Sequence, residues 1–364
     1  KRKTVLPTKR TAMSTMAMSS AIGLKDTAAS PVPSDTDSSS YNGDENHDKR
    51  DSEESNDSEL TPPFLSQTLP WIGSLVWPLL LTLPLVLTSP LSPTSYSLVF
   101  PKSWYTYDAT STEERPKPLG LCLGITAVAI GQVFVLIYFY LFKHGYLSRG
   151  ITPTSIQTKG APSYEWNEGV LTHLAQPEGF VLLALYLSGT WLFHLMPASY
   201  YSFEGGIQWK ETLLCLVLQD GFQFIAHRLE HVISPAFYQK SHKPHHRFTN
   251  PRLFDAFNGS VTDTICMILI PLFITANIVR TCNVWTYMAF GSLYANWLTL
   301  IHSEYAFPWD DIFRRFGMGT PGDHHVHHKF FKYNYGHLFL WFDQICGTYR
   351  DPREFSKRAF NDTA

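Results

Sequence analysis

Between Leu119 and Phe142 the chain runs for 24 residues without a charge, enough for a helix to cross a hydrocarbon core of about 30 Å. That run is the strongest transmembrane candidate in the chain, with a buried core helix as the alternative. Five more apolar stretches extend the pattern. Trp71–Leu87 is broken by Pro78 and Pro84, Gly179–Met196 is shorter, and Thr212–Ala226 is interrupted by Gln219, Asp220 and Gln223. Thr264–Val279, where Pro271 is expected to introduce a kink, and Val284–Ile301 are separated by a short polar link and read as a helical hairpin. The expected fold is all-α: an integral membrane bundle of about four to six embedded helices with a histidine-rich helical cap.

The segment ahead of this region differs in kind. Residues 34–59, "SDTDSSSYNGDENHDKRDSEESNDSE", bury too little apolar surface to offset chain entropy and are expected to be disordered. The first 25 residues are basic, rich in Ser and Thr and free of acids, a composition similar to that of a transit peptide. The chain opens on Lys, and Met13, Met16 and Met18 are candidate starts. The expected organisation is a disordered segment over 1–62, membrane helices and linkers over 63–170, a catalytic region over 171–352 and a tail over 353–364. A net charge of −2 leaves no basic excess to track phosphates, so no nucleic-acid partner is expected. The five cysteines are odd in number and unpaired by spacing; buried, inert thiols are the expectation.

Charge also orients the helices. If Thr212–Ala226 ends on the cytosolic side, the hairpin leaves and returns, and His302 and the tail lie there too. The opposite loops then hold only Lys102, Arg115, Lys117 and Lys210, while residues 227–263 hold five Lys and Arg and the chain beyond 302 holds eight. This agrees with the positive-inside bias and puts every dense histidine cluster on the cytosolic face.

Eleven of the fifteen histidines fall between residues 227 and 337. "HRLEH" supplies His227 and His231, "HKPHH" supplies His242, His245 and His246, and "HHVHH" supplies His324, His325, His327 and His328. His302 stands alone. Positions four apart on a helix share a face, so His227 and His231 can reach one metal, and Gln219 and Gln223 continue that stripe into the membrane. Within each HxxHH group the first histidine is expected to face the same side as the last two. The imidazoles outnumber the three or four ligands of a zinc site, so two metals are expected. Imidazole accepts iron, copper, nickel and zinc alike. A lipid arriving sideways from the bilayer favours O2-activating iron. The rival readings are a membrane metal transporter, which would carry polar residues at mid-bilayer, and a metal-dependent lipid hydrolase, for which only Glu230 offers a base near the boxes.

The three boxes, in this order, together with the closing "NYGHLFLWFDQICGTYRDP", resemble the fatty acid hydroxylase/sterol desaturase superfamily of membrane di-iron oxygenases. The resemblance implies that His227, His231, His242, His245, His246, His302, His324, His327 and His328 ligate two non-haem irons, with O2 as co-substrate. It leaves His325 as ligand or supporting residue, and gives His337 a plain surface or core role. Asn334 and Asp343 read as structural. Metal-bound imidazoles usually donate their second N–H to a partner, and Glu230, Asp323 and Asp220 are the candidates. The implied setting is the endoplasmic reticulum membrane, with electrons from a cytochrome b-type haem protein and its reductase.

Within the superfamily, "HKPHH" and "RDP" lean toward sterol C-5 desaturases. Yet Phe254 to Gly259 lack the further histidines those enzymes carry, and "HSEYAFPW" is closer to sterol methyl oxidases. A divergent branch of the alternative-type squalene epoxidase kind fits such departures. The implied activity is O2-dependent oxidation of a sterol-pathway lipid, squalene or a sterol, with squalene epoxidation leading. C-5 desaturation, sterol methyl oxidation and fatty acid hydroxylation are the alternatives.

Overall fold

A computed structural model describes residues 78–108, 115–157, 165–174 and 177–355. The expected disordered segment, the transit-like stretch, the first part of the Trp71–Leu87 run and most of the tail lie outside them. The described residues form helices: α1 (Thr82–Leu87), α2 (Leu119–Leu147), α3 (Trp166–Leu174), α4 (Pro177–Leu192), α5 (Trp209–Val232), α6 (Pro235–Lys240) and α7 (Lys243–His246). They continue as α8 (Val261–Ile278), α9 (Val284–Leu300), α10 (Asp310–Arg315), α11 (Pro321–Phe330) and α12 (Trp341–Cys346). β pairing among these residues is confined to two isolated bridges, Ser155–Tyr305 and Met318–Phe339. The molecule is a membrane helical bundle. Three of its stretches, α2, α3 with α4, and α8, are long and apolar enough to span a bilayer.

Helix α9 is the axis of the bundle, packed along α2 and α5. Of its residues only Tyr287, Gly291 and Ala295 are not fully buried. A helix apolar on all sides is one surrounded by protein or lipid, and here protein surrounds it. Asn283 caps it, accepting from Thr286 N at 2.9 Å and donating to the carbonyls of Glu204 and Gly206. The expected break near Pro271 takes the form of a π turn over Ile265–Leu269, which ends two residues before the proline. The wider turn relieves the ladder where proline has no N–H to give.

Helix α5 has its polar face inward. Gln219, Asp220, Gln223, His227 and Glu230 are buried, while Leu213, Leu214, Ile225 and Leu229 are exposed. This is the arrangement expected of polar groups at membrane depth. A second polar knot ties α2 to α9. Gln132 Nε2 donates to Asn296 Oδ1 at 2.8 Å, and its Oε1 accepts from Thr299 Oγ1 at 2.9 Å and from His173 Nε2 at 2.9 Å. Gly131 makes room for it: a Cβ there would lie 2.5 Å from Asn296 Nδ2.

Gly131→Ala is therefore expected to push Asn296 off Gln132 and destabilise the bundle by about 1–3 kcal/mol. Thermal unfolding in detergent measures it, and an unchanged midpoint would contradict this packing.

Candidate metal centre

The local sequence sets where each imidazole starts. His227 and His231 sit one turn apart at the inner end of α5. Ser234 caps α6 by accepting from Phe237 N, which reverses the chain and delivers His242, His245 and His246 on and beside α7. Thr320 and Asp323 form a capping box that starts α11, whose turns carry His324, His327 and His328. His302 follows the last turn of α9.

These nine histidines close into two groups. His227, His231, His242, His246 and His327 bring ligand nitrogens within 4.8 Å of one another, and so do His245, His302, His324 and His328. Each i, i+4 pair stays together: 227 with 231, 242 with 246, 324 with 328. The remaining member of each HxxHH box crosses over, His245 to the four-histidine group and His327 to the five-histidine group. The expectation that each box converges on one side is corrected here. Residues i and i+3 differ by about 60° around a helix, and that angle spans the two groups.

The contacts inside the groups all run Nε2 to Nε2: 2.9 Å for His227–His242, 3.0 Å for His246–His327 and 3.2 Å for His231–His246. In the second group they are 3.0 Å for His302–His324, 3.1 Å for His324–His328 and 3.3 Å for His245–His302. Several of these rings already spend their Nδ1–H elsewhere. His227 donates to Tyr335 O (2.8 Å), His327 to Tyr333 O (2.8 Å), His328 to Phe248 O (2.9 Å) and His302 to Leu298 O (2.6 Å). A neutral imidazole that donates from Nδ1 has a bare lone pair at Nε2. Lone pairs facing one another at these distances repel unless a cation sits among them. Metal–nitrogen bonds of about 2.0–2.1 Å give ligand–ligand edges of about 2.9–3.4 Å in octahedral and tetrahedral geometry. The donor set and its spacing fit two transition-metal ions.

The supporting partners differ from those expected. His242 Nδ1 pairs with Asp263 Oδ1 at 2.8 Å, with Glu230 behind at 3.6 Å. Asp263 was not among the sequence candidates; its signal is the Ser260 that caps α8 and accepts from Asp263 N at 3.1 Å. Ser260 also donates to Ser241 O, lashing the start of α8 to the second box. Asp220 and Asp323 do not meet the histidine rings. Asp220 accepts from Leu338 N and Phe339 N, and Asp323 binds Arg314 and Thr320. They are corrected to scaffold roles, because proximity in sequence put them near histidines whose rings point elsewhere. His325 belongs to neither group; its Nδ1 donates to Pro321 O at 2.9 Å. His337 is buried, not on the surface. It lies between the groups, its ring centroid 5.0 Å from that of His227 and 5.2 Å from that of His324.

A cavity adjoins both groups, touching His242, His245, His302 and His337. Its walls are mostly apolar, among them Phe180, Leu183, Met267, Leu272, Phe290 and Leu298.

Comparison with known proteins places the site in context. A family model described as fatty acid hydroxylase matches residues 212–348. The chain is 68% identical over 299 residues to an alternative squalene epoxidase of Phaeodactylum tricornutum, covering 82% of this chain and 85% of that protein. It is 30% identical over 161 residues to a Delta(7)-sterol 5(6)-desaturase of Aspergillus fumigatus, covering 39% and 48%. It is 28% identical over 224 residues to methylsterol monooxygenase 1 of Rattus norvegicus, covering 58% and 73%. No solved structure matches the chain.

Two outcomes are expected. Asp263→Ala should lower metal affinity about 10–100-fold, whereas Asp323→Asn should leave metal content unchanged; equal effects on bound metal would contradict the geometry. Burial also holds His245 and His325 neutral down to about 4. The unfolded chain takes up protons below about 6.5 and the folded chain does not until its own lower value. Stability is therefore lost as pH falls from about 6.5 toward 4, by about 1.4 kcal/mol per pH unit for each such histidine. The metal-free chain should melt at progressively lower temperature from pH 7 to 5, and a flat profile would count against neutral, buried rings.

Proposed function

For a chain that belongs to the fatty acid hydroxylase family and is an oxidoreductase, we propose the O2-dependent epoxidation of squalene, with two irons held by the nine histidines of the paired groups. The observation that carries the substrate is the 68% identity to an alternative squalene epoxidase along 85% of that protein. The cavity supports it. Squalene has no polar handle, so recognition must come from shape and apolar contact, and the walls beside His245 and His302 supply both.

When bound, the irons supply the O2-activating redox chemistry. The residues of this chain do the rest. Asp263, Tyr335 O, Tyr333 O, Phe248 O and Leu298 O hold the imidazoles in the tautomer that leaves Nε2 bare. Leu298 and Phe290 on α9, with Met267 and Leu272 on α8, align an apolar chain against the metal face and keep water from it. Gln219 and Gln223 line the same space. With the positive-inside count given above, the centre faces the cytosol of the endoplasmic reticulum. There a cytochrome b-type donor and its reductase deliver electrons.

Expression in yeast lacking squalene epoxidation tests this reading. Growth should return without added sterol, and squalene should be converted to its epoxide carrying one oxygen from labelled O2. His327→Ala should reduce product by at least about 100-fold. Rescue of a strain lacking C-5 desaturation, with no epoxide formed, would replace epoxidation with desaturation.

A further inference from the structure

We propose that the groove between α4 and α8 is a binding site for the hydrocarbon substrate outside the cavity, the place where it leaves the bilayer, with Leu269 as the threshold between the two spaces. The inference rests on the reading that the substrate is squalene.

The groove is lined by apolar residues of both helices, among them Leu185, Tyr186, Gly189, Ile270 and Phe273. Leu185, Ile270 and Phe273 are exposed. Both helices belong to stretches apolar enough to span a bilayer, so this face meets lipid. Helix α4 packs against the first turn of α8, Val261–Thr264, and the groove lies beyond that turn. On the orientation given above, both helices run outward from the cytosolic side. From Pro177 to Leu185, and from Val261 to Ile270, the chain rises about 12 Å and about 14 Å along the helix axes. In a hydrocarbon core of about 30 Å that is near mid-depth, where a molecule with no polar group is confined.

Two features join the groove to the cavity beside the histidines. Leu269 lines both spaces and is half-buried between them. The two helices also give neighbouring residues to each space: Leu183 and Ile268 line the cavity, Leu182 and Ile270 the groove. Leu269 is the last residue of the π turn Ile265–Leu269. Gln219 Nε2, from the cavity wall on α5, braces that turn by donating to Ile268 O at 3.3 Å. The threshold is thus set by the irregular turn of α8, and π turns recur at functional sites. A phospholipid tail fits such a groove, yet its charged head keeps it at the interface. A hydrocarbon apolar along its whole length can pass Leu269 into a space lined mostly by apolar side chains.

The test uses the full chain in phosphatidylcholine vesicles with a squalene analogue carrying a diazirine, photolysed and mapped by mass spectrometry. Label should fall on both α4 and α8 along the groove, and excess squalene should displace it. At Gly189 a Cβ meets nothing within 4 Å, so a large side chain there would fill the groove without displacing the bundle. Gly189→Trp should lose the label and raise KM for squalene at least about tenfold with kcat little changed, the mark of binding lost away from the reacting atoms. Its metal content and melting temperature should stay the same. Leu269→Trp should keep the groove label and lose turnover. Leu213→Trp, exposed on α5 away from both spaces, should change nothing. Labelling needs no turnover, so a chain that takes the label here but forms no epoxide would remove the proposed activity and leave the site standing. Label that misses either helix would overturn the site, and so would label that squalene fails to displace, which would make the groove a seat for bilayer lipid. An unchanged KM in Gly189→Trp would overturn it as well.

Discussion

Lone pairs crowded against lone pairs are the constraint on which this molecule is built. Nine imidazoles project Nε2 into two small volumes, and that arrangement is tolerable only if each ring is neutral, held in one tautomer and completed by a cation. The surroundings answer to that need. Loop carbonyls at Phe248, Tyr333 and Tyr335, a helix carbonyl at Leu298 and the Asp263 carboxylate each accept one Nδ1–H. The acceptors come from α8, α9 and the loops after α7 and α11. The candidate metal centre thus draws on elements distant in sequence, and the order of the bundle and the order of the site are one property.

The centre also explains how polar residues enter a membrane fold. Helix α5 exposes leucine and isoleucine and buries glutamine, aspartate and histidine. The buried stripe starts as cavity wall at Gln219 and Gln223 and ends in the five-histidine group at His227 and His231. Gln132, which lines the cavity, spends its amide on Asn296, Thr299 and His173, so it adds little unmet polarity to a space lined mostly by apolar side chains. Under the proposed function, an apolar substrate and a charged metal pair would share one compartment. Several polar groups at its edge, those of Gln132, Gln223 and Tyr294, are already bonded to protein.

Much of this was legible from residues alone. Apart from Trp71–Leu87, whose start lies outside the described residues, the apolar runs became helices within about six positions of their expected ends, because length and lack of charge leave little choice in a bilayer. The i, i+4 histidine pairs did converge, because helical geometry is local. What failed was inference from sequence neighbours. Asp220 and Asp323 lie close in sequence to histidines, yet their carboxylates serve backbone amides and Arg314. Asp263 is 21 residues from His242 and bonds its ring. His337 lay outside every box and stands between both groups.

Composition and helical period dictate that this chain is a membrane bundle and that its histidines come in facing pairs, since both follow from forces acting within a turn or along one run. Which pair joins which, where the cavity opens, and which acid steadies which ring were decided by packing. A side chain's partner across the bundle depends on how several helices cross. The energies that set those crossings are sums over contacts between residues tens to a hundred positions apart.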